Sequence, residues 1–96
     1  MIRHICMFKI QEENKPEILK EILEKTKALK DIQSTKGGIT VTNSKDAPES
    51  NYDFCLIYDF DDIDALNAYQ NDPIHLSCKD YFMPFVQSRA CIDYEY

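Results

Sequence analysis

His4 and His75 are the only histidines in the chain, and imidazole is the side chain whose ordinary titration falls nearest neutral pH. His75 follows Asp72 and Pro73. Proline there suits the first turn of a helix, where the positive end of the macrodipole disfavours an imidazolium. A neutral imidazole so placed can act as a general base near pH 7. Tyr69 precedes it by six residues, at the end of another helical pattern, so the loop between them can fold phenol and imidazole toward one pocket. His4 shares a strand face with Cys6 and Phe8. The competing interpretation is structural: His75 bonded to local backbone, Tyr69 a core-edge aromatic, His4 half-buried in a strand. Residue types alone leave both open. Two histidines and Asp72 could suggest a metal, but their spacing is uninformative, and neither a metal nor a cofactor is expected.

The elements that must position these groups follow from periodicity. Residues 2–10 alternate, with Ile2, His4, Cys6, Phe8 and Ile10 on one face and Arg3, Ile5, Met7 and Lys9 on the other. From Pro16 the period becomes 3.6, with Ile18, Leu19, Ile22, Leu23, Thr26, Leu29 and Ile32 in one stripe. Asn14 is a candidate cap, and the helix is expected to reach Gln33 and stop near Gly37 and Gly38. Ile39–Thr42 reads as a short strand, followed by a polar turn region over Ser44–Ser50. In the next strand Tyr52, Phe54, Leu56, Tyr58 and Phe60 oppose Asp53, Cys55, Ile57 and Asp59. Asp61 or Asp62 caps a helix carrying Ile63, Leu66 and Tyr69. Pro73 opens another, whose apolar face holds Leu76, Tyr81, Phe82, Phe85 and Val86 and which Pro84 kinks or divides. A last strand alternates Ala90, Ile92, Tyr94 and Tyr96 with Arg89, Cys91, Asp93 and Glu95.

The order is βαββαβ, the ferredoxin-like α+β arrangement: a four-stranded antiparallel sheet with helices on one face, in a single domain over residues 1–96. The other face is left bare. Ile5, Met7, Cys55 and Ile57 would line it, so a second copy of the chain is the expected cover.

Ninety-six residues, 44% of them hydrophobic and 29% charged, are enough for one folded core. The net charge of −6 repels phosphate backbones and anionic lipid, so neither nucleic acid nor a membrane is an expected partner. The lysines between Lys15 and Lys36 alternate with Glu17, Glu21 and Glu24 as on a solvated helix face. Arg3, His4 and Lys9 interrupt the first ten residues, which excludes a signal-peptide pattern and makes a cytoplasmic location the expectation. Cys6, Cys55, Cys78 and Cys91 form no CxxC pair and are expected as reduced, mostly buried thiols.

The opening Ile2-Arg3-His4-Ile5-Cys6-Met7-Phe8-Lys9, the run from Phe60 through Leu66 to Tyr69, the segment Asp72-Pro73-Ile74-His75 and the ending Ile92-Asp93-Tyr94-Glu95 carry a resemblance. Together they resemble the stress-responsive dimeric α/β barrel (Dabb) domain family over nearly the whole chain. The resemblance implies a homodimer whose two sheets pack face to face into a barrel. In a plant polyketide cyclase of that family, a linear polyketide is closed by aldol condensation with retention of the carboxylate. By that resemblance His75 takes a proton from the carbon between two carbonyls, Tyr69 assists it and His4 holds the substrate. A phenol can hydrogen-bond the enolate oxygen that results. The sequence departs from the cyclase in lacking a helix-one tyrosine near Thr26 or Leu29, and in placing Cys6 where a bulkier aliphatic stands.

The expectation is therefore a pocket between sheet and helices that binds a small hydrophobic or phenolic metabolite, lined by His4, Cys6, Phe8, Tyr69 and His75. Cyclase-like proton abstraction, a non-catalytic stress or ligand-binding homodimer, and a cofactor-independent monooxygenase of related barrels are the functions it could serve.

Overall fold

A computed structural model describes residues 1–96. The elements are β1 (Ile2–Ile10), α1 (Lys15–Thr26), β2 (Thr35–Thr42), β3 (Phe54–Phe60), α2 (Ile63–Asn71), α3 (Pro73–Phe82) and β4 (Val86–Glu95), with 3₁₀ turns over Lys27–Asp31 and Met83–Phe85. All three strand pairings are antiparallel, in the order β2-β3-β1-β4. This is the expected ferredoxin-like α+β fold.

Register sorts the side chains into rows across the sheet. On the helix side, Gly38, Tyr58, His4 and Asp93 form one row. Beside it run Thr40, Leu56, Cys6 and Cys91, then Thr42, Phe54, Phe8 and Arg89. The helices cover the first three strands, and His4, Cys6, Phe8, Phe54, Leu56 and Tyr58 are buried. They stop short of β4, whose Arg89, Cys91 and Asp93 are exposed. Phe8, Phe54 and Phe82 pack at centroid distances of 4.7 to 5.4 Å and pin α3 to the sheet. Such aromatic pairs contribute about 0.5–1.5 kcal/mol each beyond the area they bury.

On the opposite face Ile39, Ile57, Ile5 and Ile92 form a row of four isoleucines, flanked by Val41, Cys55, Met7 and Ala90. Ile39 and Ile92 are more than half exposed. Arg3 bridges Asp59 at 2.8 Å on this face and lies 4.8 Å from the centre of the Tyr96 ring.

Several boundaries differ from the sequence expectation. The first α-helix ends at Thr26, and the apolar stripe continues through the 3₁₀ turn. Buried positions step by four through Ile18, Ile22 and Thr26, then by three through Leu29 and Ile32, the spacing at which a 3₁₀ turn aligns its side chains. The Thr26 hydroxyl donates back to the Ile22 carbonyl at 2.7 Å, a bond that loosens a helix at that point. Gly37 and Gly38 do not stop a helix but lie inside β2, which begins at Thr35. Gly37, at φ 127°, takes up a register shift, and a Cβ on Gly38 would stand 2.1 Å from the Tyr58 ring. Asn14 precedes α1 in the left-handed region without a side-chain cap bond. Asp62 caps α2 by accepting from the Ala65 amide at 2.8 Å. Val86 opens β4 and does not extend the last helix.

The cysteines bring a further correction. Cys55 and Cys78 are free thiols, but Cys6 and Cys91 are joined by a disulfide. The two residues stand directly opposite on β1 and β4, with Cα atoms 4.2 Å apart. Eighty-five positions separate them in sequence, so only the strand register reveals the pair.

Candidate functional site

The loop between α2 and α3 is a sharp reversal. Asp72 ends α2, and its carboxylate accepts the Ile74 amide at 2.8 Å to cap α3, while Pro73 occupies a first-turn position that needs no donor. This places His75 within the first turn of α3 and beside the last turn of α2. The His75 Nδ1–H donates to the Gln70 carbonyl at 3.1 Å. A carbonyl only accepts, so this bond fixes the tautomer and leaves the Nε2 lone pair without a protein partner.

His4 meets a parallel arrangement from the sheet side. It is 5% exposed, and its Nδ1 bonds the carboxylate of Asp93, its neighbour in the row on β4. Its Nε2 likewise has no bond to the protein. Tyr69 lies between the two imidazoles, with its ring centroid 4.6 Å from His75 and 6.4 Å from His4.

A cavity of about 370 Å³ opens between the sheet, the end of α2 and α3. His4, Cys6, Phe8 and His75 all line it, together with apolar Leu56 and Phe82. Of the residues singled out in the sequence, these four thus border one cavity and one does not. Tyr69 is wholly buried behind the cavity wall, and its hydroxyl has no hydrogen-bond partner. Lys79 and Arg89 also line it, the Arg89 guanidinium standing 3.0 Å from Cys91 Sγ. A hollow of about 320 Å³ near Met7, Val41 and Cys55 contains no histidine.

Burial lowers the His75 imidazole below its ordinary value, and nearby Lys79 and His4 lower it further; the Gln70 bond and Asp72 offset part of this. The ring is therefore neutral at pH 7, as its place at a helix N-terminus also favours. Burial drives the Tyr69 phenol upward, with Tyr58 and Cys78 adding to the shift, so it keeps its proton. No three His, Cys, Asp or Glu side chains converge in a geometry that holds a metal ion.

Sequence reasoning missed Asp93, Gln70, Lys79 and Arg89. Gln70 acts through its backbone and leaves no trace in residue type. Asp93 and Arg89 share the polar face of the last strand with Cys91, but only register sets them against His4, Phe8 and Cys6. Lys79, four residues after His75, was legible as the next position on the same helix face.

The family model described as the Stress responsive A/B Barrel Domain matches residues 2–96. This chain belongs to that family. Solved structures of ferredoxin-like fold are similar to this chain. A dimeric protein of ferredoxin-like fold from Bacteroides fragilis is 25% identical, with a TM-score of 0.89 covering 99% of this chain and 95% of that one. A dimeric ferredoxin-like protein from Thermobifida fusca is also 25% identical, with a TM-score of 0.88 over 99% and 90%. A Dabb family protein from Mesorhizobium loti, again 25% identical, has a TM-score of 0.80 over 99% and 95%. No curated protein matches the sequence. No helix of the A/B barrel domain is long and apolar enough to cross a membrane.

Proposed function

We propose that this A/B barrel domain is a cytoplasmic homodimer that binds a small, largely apolar or phenolic metabolite bearing adjacent carbonyls and removes a proton from the carbon between them. One observation carries the reading. Two imidazoles face one cavity, each with Nδ1 engaged by an acceptor and Nε2 left open. His75 Nε2 is the base, since a proton flanked by two carbonyls is acidic enough for a neutral imidazole. His4, oriented by Asp93, accepts a hydrogen bond from a substrate hydroxyl through Nε2. Lys79 and Arg89 supply the positive charge that an enolate or a carboxylate would meet in the cavity. Cys6 and Phe8 form the sheet-side wall, where an aromatic substrate ring would lie.

Tyr69 takes a different part from the one the family resemblance implies. Its buried hydroxyl cannot reach an enolate in this arrangement, and its ring instead packs against His75. It is a positioning residue.

The row of isoleucines supports pairing through the bare sheet face. Four β-branched side chains across one sheet make an apolar stripe of the kind that a second copy buries.

The test is exchange of the acidic C–H of small β-dicarbonyl acids in deuterated buffer, followed by NMR. Wild type should accelerate exchange for at least one member of a panel. His75→Asn, which keeps a donor for the Gln70 carbonyl but offers no base, should lose that acceleration by 100-fold or more, on the order expected for a general base. Equal exchange by both proteins would remove the catalytic reading.

A second reading, a ligand-binding homodimer without turnover, is favoured by the Tyr69 hydroxyl, because its burial removes the one neutral proton donor beside His75. Under it, His75→Asn would weaken ligand binding while no substrate exchanges faster than in buffer.

A further inference from the structure

We infer that Cys91 and Cys6 form a redox-active thiol pair at the cavity wall, in which exposed Cys91 exchanges with small disulfides and buried Cys6 resolves it. Exchange at this pair requires no proton abstraction at His75.

Three observations point to it. First, the two sulfurs are bonded, and they differ sharply in access. Cys6 is 2% exposed, whereas Cys91 lies on the uncovered edge strand, on the side the helices do not reach. An asymmetric pair of this kind has one sulfur that a solution thiol can attack and one that it cannot.

Second, Arg89 is aimed at the pair. Its Nη2 stands 3.0 Å from Cys91 Sγ and 3.5 Å from Cys6 Sγ. A guanidinium gains little from a neutral disulfide sulfur. Beside a thiolate it makes a charge-assisted bond and favours the reactive form. The next carboxylate along the strand, Asp93, is engaged by His4 and does not neutralise Arg89.

Third, the remaining cysteines lack these features. Cys78 is buried, Cys55 faces the opposite side of the sheet, and burial raises both thiols above their ordinary values. They are internal controls for selectivity.

The chemistry balances with a low-molecular-weight disulfide as oxidant. The Cys91 thiolate attacks one sulfur of RS–SR; the S–S bond breaks, RS⁻ leaves, and a Cys91–S–S–R mixed disulfide forms. Cys6 gives its proton to solvent, its sulfur attacks Cys91 Sγ, and the second RS⁻ leaves. Two protein thiols have been oxidised by two electrons and RS–SR reduced to two thiols, each taking a proton from water. Reduction runs the same steps in reverse, beginning at Cys91. The bond joins the strands that carry His4 and Asp93, so the oxidised state cross-links the two strands on that side of the cavity.

The test uses the full chain in buffers of graded reduced-to-oxidised glutathione ratio, quenched with an alkylating reagent, unfolded and weighed. Only two species should interchange with the ratio, one with four labelled cysteines and one with two, the missing labels mapping to Cys6 and Cys91. Cys6→Ser should stop at a single glutathionyl adduct on Cys91. In the reduced protein, Arg89→Gln should slow native alkylation of Cys91 by about threefold. Loss of the guanidinium lowers the thiolate fraction, and the greater nucleophilicity of a more basic thiolate returns only part of the rate. A bond that stays closed in excess reduced glutathione would mark an inert structural cystine and overturn the inference. So would reduced chain that forms no bond with oxidised glutathione. The wild-type titration decides this even if a variant fails to fold.

Discussion

Replacing Tyr69 with phenylalanine removes one oxygen from the centre of the protein. That oxygen is wholly buried and has no hydrogen-bond partner, while the ring packs against Phe60 at 5.0 Å, Tyr58 at 5.8 Å and His75 at 4.6 Å. An unsatisfied buried hydroxyl costs about 1–3 kcal/mol relative to its solvated state in the unfolded chain. Phenylalanine escapes that cost and keeps every ring contact, losing only the dispersion contacts of one atom, a few tenths of a kcal/mol. Tyr69→Phe should therefore stabilise the protein by about 1 kcal/mol. For a domain of this length that is a rise in Tm of roughly 4–8 °C. Thermal unfolding by circular dichroism, at one fixed protomer concentration because a dimer's Tm depends on it, is the assay. A fall in Tm of similar size would mean instead that the hydroxyl has a partner in the folded protein. The same variant separates positioning from proton transfer: with the ring retained, C–H exchange should stay within about threefold of wild type by the positioning account, against a loss of 100-fold or more for a lost proton-transfer group.

Gly38→Ala should do the opposite. Its Cβ would stand 2.1 Å from the Tyr58 ring and 2.5 Å from the Ile57 carbonyl oxygen, so both a buried ring and a strand must shift, at a cost of about 2 kcal/mol or more; urea denaturation reads it. The pH dependence contributed by His75 has a definite sign. Its folded value lies below its unfolded one, so the unfolded chain takes the proton first, and the stability it contributes is complete above the ordinary imidazole value and lost as pH falls through it. The Tm of wild type relative to His75→Asn should accordingly decline between about pH 7 and pH 5, and a constant difference would contradict the assignment. Ile92→Lys puts a charge into the isoleucine row and should weaken homodimerisation at least about 100-fold, measured by analytical ultracentrifugation; unchanged association would show that pairing uses another surface.

Much of this could be read from the sequence, and the parts that could not have physical reasons. Alternation over residues 2–10 and 54–60 sorts helix-facing from bare-facing residues because a strand's period is fixed at two. His4, Cys6, Phe8 and His75 meet at one cavity because Pro73 and the capping Asp72 fix where α3 begins. The end of α1 was less visible, since the switch from steps of four to steps of three after Thr26 resembles a continuing amphipathic helix. Gly37 and Gly38 looked like a helix stop; only the Tyr58 ring above Gly38 explains the lack of a side chain there. The His4–Asp93 contact and the Cys6–Cys91 bond both depend on pairing the first strand with the last, a register set by the whole fold. The Tyr69 hydroxyl teaches the converse: a residue type at the matching position does not fix where its reactive atom points.

The most direct measurement is a long-range ¹H–¹⁵N spectrum of the two histidine rings at pH 7, recorded with and without a panel of β-dicarbonyl and phenolic acids. His75 should be neutral with its proton on Nδ1, His4 should hold its Nδ1–H against Asp93, and the Nε2 resonances of both rings should move with the same ligand. A His75 proton on Nε2, or rings that never respond to one ligand together, would contradict a shared proton-abstracting site.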